Sequence, residues 1–254
     1  LSGGGELDNG TTFSVSTTSN DALALSASTT TITTPSLGSF MIGAGTGGLS
    51  GAYDEEVPTA YEQVSDGKNN TSNSVGNFLD NNHISYTSPT LDLGGASMTA
   101  HLEYSPQASD TTVGDGGQVT YSNTIGSGKG AGITVAYEGL KLGVYGAERK
   151  RTKPETAGAT GNYEHDEFNG VWYAKYSMGP VSIGYSEFYI DSGVAGSAEA
   201  TNAAKTLRTA AGIQEGHQIG IAFNVNDNLS ISYTESEETY NAQSDAGGTA
   251  IPDV

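Results

Sequence analysis

The sequence predicts an all-β fold: a transmembrane, antiparallel, up-and-down β-barrel with about twelve strands. Three observations predict it. Short segments alternate apolar and polar residues, which gives each strand one apolar and one wet face. The connections alternate in length. Tight turns at Asp8-Asn9-Gly10, Pro35-Ser36-Leu37-Gly38, Asp92-Leu93-Gly94-Gly95, Glu138-Gly139, Met178-Gly179-Pro180 and Asn226-Asp227-Asn228 are separated by long polar loops at Thr46–Asn81, Gln107–Lys129, Arg151–Asp166 and Gly193–Gly212. A meander with short turns at one end and long loops at the other is the layout of a membrane barrel. Finally, no apolar run approaches the roughly 20 residues of a membrane helix. The mean hydropathy of −0.35 suits barrel strands, in which only every second side chain meets lipid.

Each strand has its own justification. Leu1–Leu7 and Thr11–Ser19 flank an Asn-Gly turn, a strong hairpin signal, and Phe13 and Val15 alternate with Ser14 and Ser16. Ala22–Thr33 places Leu23, Leu25 and Ala27 on one face, then turns at Pro35 into Ser39–Gly45 with Phe40 and Ile42. His83–Pro89 contributes Ile84 and Tyr86. Ala96–Pro106 sets Met98, Ala100, Leu102 and Tyr104 against Ser97, Thr99, His101 and Glu103. Gly130–Glu138 carries Ile133, Val135 and Tyr137, and Leu140–Arg149 carries Leu140, Leu142 and Val144 opposite Lys141, Gly143 and Tyr145. Phe168–Met178 sets Phe168, Trp172 and Tyr176 against Asn169, Tyr173 and Lys175. Val181–Asp191, Gln218–Val225 and Leu229–Tyr240 repeat the rhythm through Ile183, Ile221 and Ile231. Ala198–Ala211 departs from it, and its composition predicts a short helix or an irregular loop.

The apolar faces predict contact with lipid and the polar faces a wet lumen. Tyr86, Tyr104, Phe168, Trp172, Tyr176 and Tyr233 are the candidates for an aromatic girdle at the membrane interfaces. A soluble sandwich also alternates, but its strands are shorter and its loops do not segregate by end.

Composition narrows the function. Against 29 Asp and Glu stand only 10 Lys and Arg, giving a formal charge of −19, which argues against a nucleic-acid partner. There is no Cys. The histidines His83, His101, His165 and His217 fall in separate segments outside any nucleophile or metal motif, so no enzyme and no catalytic residue are expected. No zinc spacing is present, and no metal ligand is assigned. Asp54-Glu55-Glu56 or Asp110 and Asp115 could lend oxygens to a structural Ca²⁺, though EF-hand spacing is lacking. No other cofactor is implied. The chain opens at Leu1 without a leader-like segment and stops at Ile251-Pro252-Asp253-Val254 in a polar stretch. The expectation is one barrel domain over 1–254, incomplete at both ends.

The ordered series GELDNGTTFSVSTT, SLGSFMIGAG, AYDEEVPTAYEQVSDG, HISYTSPTLDLGGASMTAHLEYSP and GVWYAKYSMGPVSIGYS resembles the general porins of Gram-negative bacteria, in particular those of marine alphaproteobacteria. The resemblance runs along essentially the whole chain. It implies a homotrimer of sixteen-stranded barrels in the outer membrane, in contact with outer-membrane lipid, of which this chain supplies the second to the thirteenth strand. It implies a passive channel for ions and small hydrophilic solutes. It also implies that the loop at 46–81 folds back and narrows the pore, which makes Asp54, Glu55, Glu56, Glu62 and Asp66 the acidic side of a constriction. Inward-facing Lys141, Arg149 and Lys175 are the candidates for its basic wall. The acidic excess implies a preference for cations. The alternative is a secreted or surface-attached β-rich adhesin, but a solenoid adhesin would show a short fixed repeat, and the sequence has none.

Overall fold

A computed structural model describes residues 1–20, 25–46, 48–60, 79, 82–108, 125–151, 165–191, 193 and 213–241. Its strands are β1 (Ser2–Glu6), β2 (Thr12–Ser19), β3 (Leu25–Thr34), β4 (Gly38–Ala44), β5 (Asn82–Thr87), β6 (Leu91–Asp92), β7 (Ser97–Gln107), β8 (Ile125–Tyr137), β9 (Leu140–Arg151), β10 (Glu167–Met178), β11 (Val181–Asp191), β12 (Ile213–Asn226) and β13 (Leu229–Asn241). All belong to one antiparallel sheet in which neighbours in sequence are neighbours in space, with the short β6 set aside as an appendage of β7. This is the up-and-down meander that the turn pattern predicts. The sheet is not closed: β1 pairs only with β2, and β13 only with β12, among the described residues.

Two strands start five residues earlier than the sequence predicts. β8 begins at Ile125 and not Gly130, and β12 at Ile213 and not Gln218. In both cases the added residues lack the apolar beat, since Lys129, Glu215 and His217 occupy positions where a hydrophobic residue would be expected. The segment expected to form a short helix or an irregular loop, 198–211, lies outside the described residues, as do Glu62 and Asp66. In the turn before β7, the Asp92 carboxylate accepts the amides of Gly94 and Gly95, which hold it below the usual carboxylate range.

The two faces of the sheet differ in burial and polarity. Ile42, Ile84, Leu102, Val144, Ile183 and Ile231 are all exposed on the outer face, with Ile42 62% accessible. The buried wall residues lie on the inner face, and many are polar: Ser85, Glu103, Ser105, Asn169, Ser186 and Gln218. The small core, which includes Tyr53, Tyr145, Val171, Tyr173 and Phe188, also lies on that inner side.

The outer apolar surface forms a band that crosses the sheet obliquely. One hydrogen-bonded row runs from Ala100 through Ile133, Val144, Trp172, Glu187 and His217 to Glu237, apolar as far as β10 and polar beyond it. A row closer to the short turns, from Tyr137 through Leu140, Tyr176, Ile183 and Ile221 to Tyr233, is apolar throughout. On β8 the band's upper edge is Lys129, whose row continues to Asn241 on β13. On β13 itself the edge is Glu235, nearer the short turn. With about 3.3 Å per residue and about 4.8 Å between strands, the edge shifts about 20 Å along the strands over about 24 Å across them, a slope of about 40°.

Candidate functional site: a strap across the inner face

After β4 the chain leaves the sheet and runs along the inner face as a strap, described from Gly48 to Ala60. It opens with a single 3₁₀ turn, Leu49–Ala52, closed by the Tyr53 amide donating to the Ser50 carbonyl at 2.9 Å. The Leu49 amide donates to Glu103 Oε2 on β7 at 2.9 Å, and the Tyr145 hydroxyl on β9 donates to the other oxygen of the same carboxylate. Glu103 is therefore a buried anchor for the strap. The alternation puts it on the wet face, but only the folded strap shows what it holds.

Tyr53 comes next and is fully buried. Its ring stacks on Tyr145 with centroids 5.2 Å apart, and its hydroxyl lies 2.5 Å from Nδ1 of His101. Burial first, then Tyr173 and Glu103, push this phenol well above the usual tyrosine range, so it stays protonated. The ring fits because β8 presents Gly132 beneath it, where a Cβ would stand 2.5 Å from the ring. Pro58 rests in the same way on Gly184 of β11, where a Cβ would meet its Cδ at 2.5 Å. At the far end the Ala60 amide donates to Ser232 Oγ on β13 at 3.0 Å. The described strap thus spans the inner wall from β7 to β13.

The expected acidic and basic residues meet in part. The Val57 amide bonds to the Glu55 carbonyl at 2.8 Å, a tight turn centred on Glu56. The Glu56 carboxylate accepts from Lys175 and lies 3.5 Å from Lys141 Nζ. Lys141 and Lys175 are direct cross-strand partners on β9 and β10, where like charges repel, and Glu56 sits between them. Both ammonium groups also lie over the Tyr173 ring, 5.5 and 5.9 Å from its centroid. Acid and base therefore meet in contact here, and do not face each other across a gap. Glu55 is buried, with a backbone φ of 48°, while Asp54 is half-buried.

Arg149 is placed elsewhere. Its guanidinium grips Glu167 with two bonds of 2.8 Å and the Ala108 carbonyl with one of 3.0 Å. Its partner Glu167 opens β10 directly opposite Arg149 on β9, a pairing that sequence alternation alone does not reveal. Around the strap the carboxylates of Asp54, Glu55, Glu56, Glu103 and Glu167 still outnumber the cations of Lys141, Arg149 and Lys175.

On the outer face, Tyr104 and Phe168 stand toward the long connections, and Tyr86 and Tyr176 toward the short turns. Tyr233 lies in the first half of β13. Trp172 is mid-strand, not at an end, and its indole N–H donates to Glu187 Oε2 at 2.9 Å. Among the described residues no group of three or more His, Asp or Glu is disposed to hold a metal ion. No protein-family model and no curated protein sequence matches this chain.

Proposed function

We propose that this chain forms the wall of an outer-membrane porin, a water-filled channel through which ions and small hydrophilic solutes diffuse passively. The observation that carries the reading is the oblique apolar band. A band running about 40° off the perpendicular to the strands becomes horizontal when the strands themselves tilt about 40°, within the 35–45° of membrane barrels. Its height agrees as well. On β8 it is bounded by Lys129 and, past the strand end, by Glu138. That distance is about 30 Å along the strand, or about 23 Å after tilting, against the roughly 25 Å of an outer-membrane barrel. A soluble sheet has no reason to skew its exposed apolar residues in this way.

The inner face then lines the lumen, and the strap narrows it. A sheet in lipid must have every edge paired, so the barrel requires partners for β1 and β13. The carboxylates in excess around the strap give a modest preference for cations. Three barrels associate, and the long connections face outward. The test is single-channel recording from the full natural gene product in planar bilayers, with reversal potentials in a salt gradient. The expected result is stepwise openings in groups of three and a cation-directed reversal potential. A folded product that conducts nothing would overturn the channel and leave the adhesin as the better reading.

A further inference from the structure

Resting on the channel reading, we infer that the lumen has two lanes, and that neutral polyhydroxyl solutes of monosaccharide size travel along the wall formed by β2 to β4 while ions follow the strap. On β2 and β3 the inner-facing residues form directly opposed hydroxyl pairs: Thr12 with Thr33, Ser14 with Thr31 and Ser16 with Thr29. The next strand continues the surface, with Thr33 Oγ1 2.9 Å from Ser39 Oγ. No charged side chain is found among the inner-facing residues of β2, β3 and β4, which are otherwise Thr18, Ala27, Met41 and Gly43. All the charges named around the strap belong to the strap itself or to β7, β9 and β10.

The chemistry of the two sides differs accordingly. A hydroxyl both donates and accepts, so it can stand in for the water around a sugar hydroxyl without requiring a counter-charge. The opposed pairs repeat about 7 Å apart along the strands and lie about 5 Å apart across them, comparable to the spread of hydroxyls on a sugar ring. On the strap side, fixed charges set a field that acts on ions and leaves neutral solutes unsorted. Glu56 is drawn onto Lys141 and Lys175, which confines that field near the strap. The three Ser/Thr pairs stay on the lumen side because Phe13, Val15 and Ile32 take the alternate positions on the outer face.

The two lanes can be separated with the full natural protein in liposomes, by following arabinose entry through swelling and KCl conductance in bilayers. The variant Ser14→Ala/Thr29→Val/Thr31→Val keeps side-chain volume and β-branching, and heat-modifiable migration in SDS reports its folding. Arabinose entry is expected to fall about fivefold while KCl conductance stays within about twofold and the reversal potential is unchanged. Glu56→Gln is expected to do the converse, moving the reversal potential and leaving arabinose entry as it was. Equal loss of sugar and salt flux in the hydroxyl variant, or no loss of either, would overturn the two lanes while leaving the channel. Absence of both fluxes in the unaltered protein would remove the channel itself.

Discussion

Glu56 is the residue on which the inner face turns. Lys141 and Lys175 are opposed across β9 and β10, and without an anion between them each raises the energy of the other. The three groups are partly exposed, with 19% of the Glu56 side chain and 39% and 32% of the lysine side chains accessible. Solvent screening therefore limits the ion pairs to about 0.5–1 kcal/mol. Their electrical effect is larger than their effect on stability. In Glu56→Gln, both lysines lose the carboxylate between them, and the reversal potential in a KCl gradient should move toward anions with little change in unfolding midpoint. An unchanged reversal potential would mean that permeating ions do not pass this cluster.

At the scale of elements, the strap and wall fit because glycines of the wall are matched to bulky residues of the strap. Tyr53 cannot yield to a new Cβ at Gly132 without leaving both its stack on Tyr145 and its bond to His101. Gly132→Val should unseat the strap, lower stability by about 1–3 kcal/mol and raise single-channel conductance. Gly146→Ala, whose Cβ would meet Phe168 on the outer face at an ordinary 3.4 Å, is the control and should do neither. The strands were legible in the sequence because alternation is a local property. It gave the inward parity of Lys141, Tyr145 and Lys175 correctly. It failed at β12, where Glu215 and His217 stand outward and the beat resumes only at Ile219. The contacts of the strap were not legible, because Tyr53 with His101 or Glu56 with Lys175 joins residues far apart in sequence. Parity places Arg149 inward with Lys141 and Lys175, but parity does not reveal that Glu167 grips its guanidinium.

The whole molecule is defined by the level at which its outer surface changes from apolar to charged. If lipid covers the oblique band, a cation within it is costly and a cation above it is not. Ile221→Arg, inside the band on β12, should lower stability in vesicles by about 2–4 kcal/mol, whereas Glu237→Arg, above it on β13, should cost about 0–1 kcal/mol. Urea titrations of the two variants in phospholipid vesicles measure the difference. Equal effects at the two positions would mean that the band does not lie in a membrane. The two sites are two rows apart in register, so the comparison depends on the skew of the band and not on hydrophobicity in general.

The strap also imposes an order in time. It precedes every strand from β7 to β13 in the chain, and its last described tie, from Ala60 to Ser232, joins residues 172 apart. Neighbouring strands of the meander can pair as soon as each is available, because their contacts are local. The strap has to wait, since closing so long a loop is slow until its far partner is in place. On this argument the tie from Ala60 to Ser232 forms after the strands of the wall have paired. A chain halted before β13 would have most of its wall and an unfastened strap.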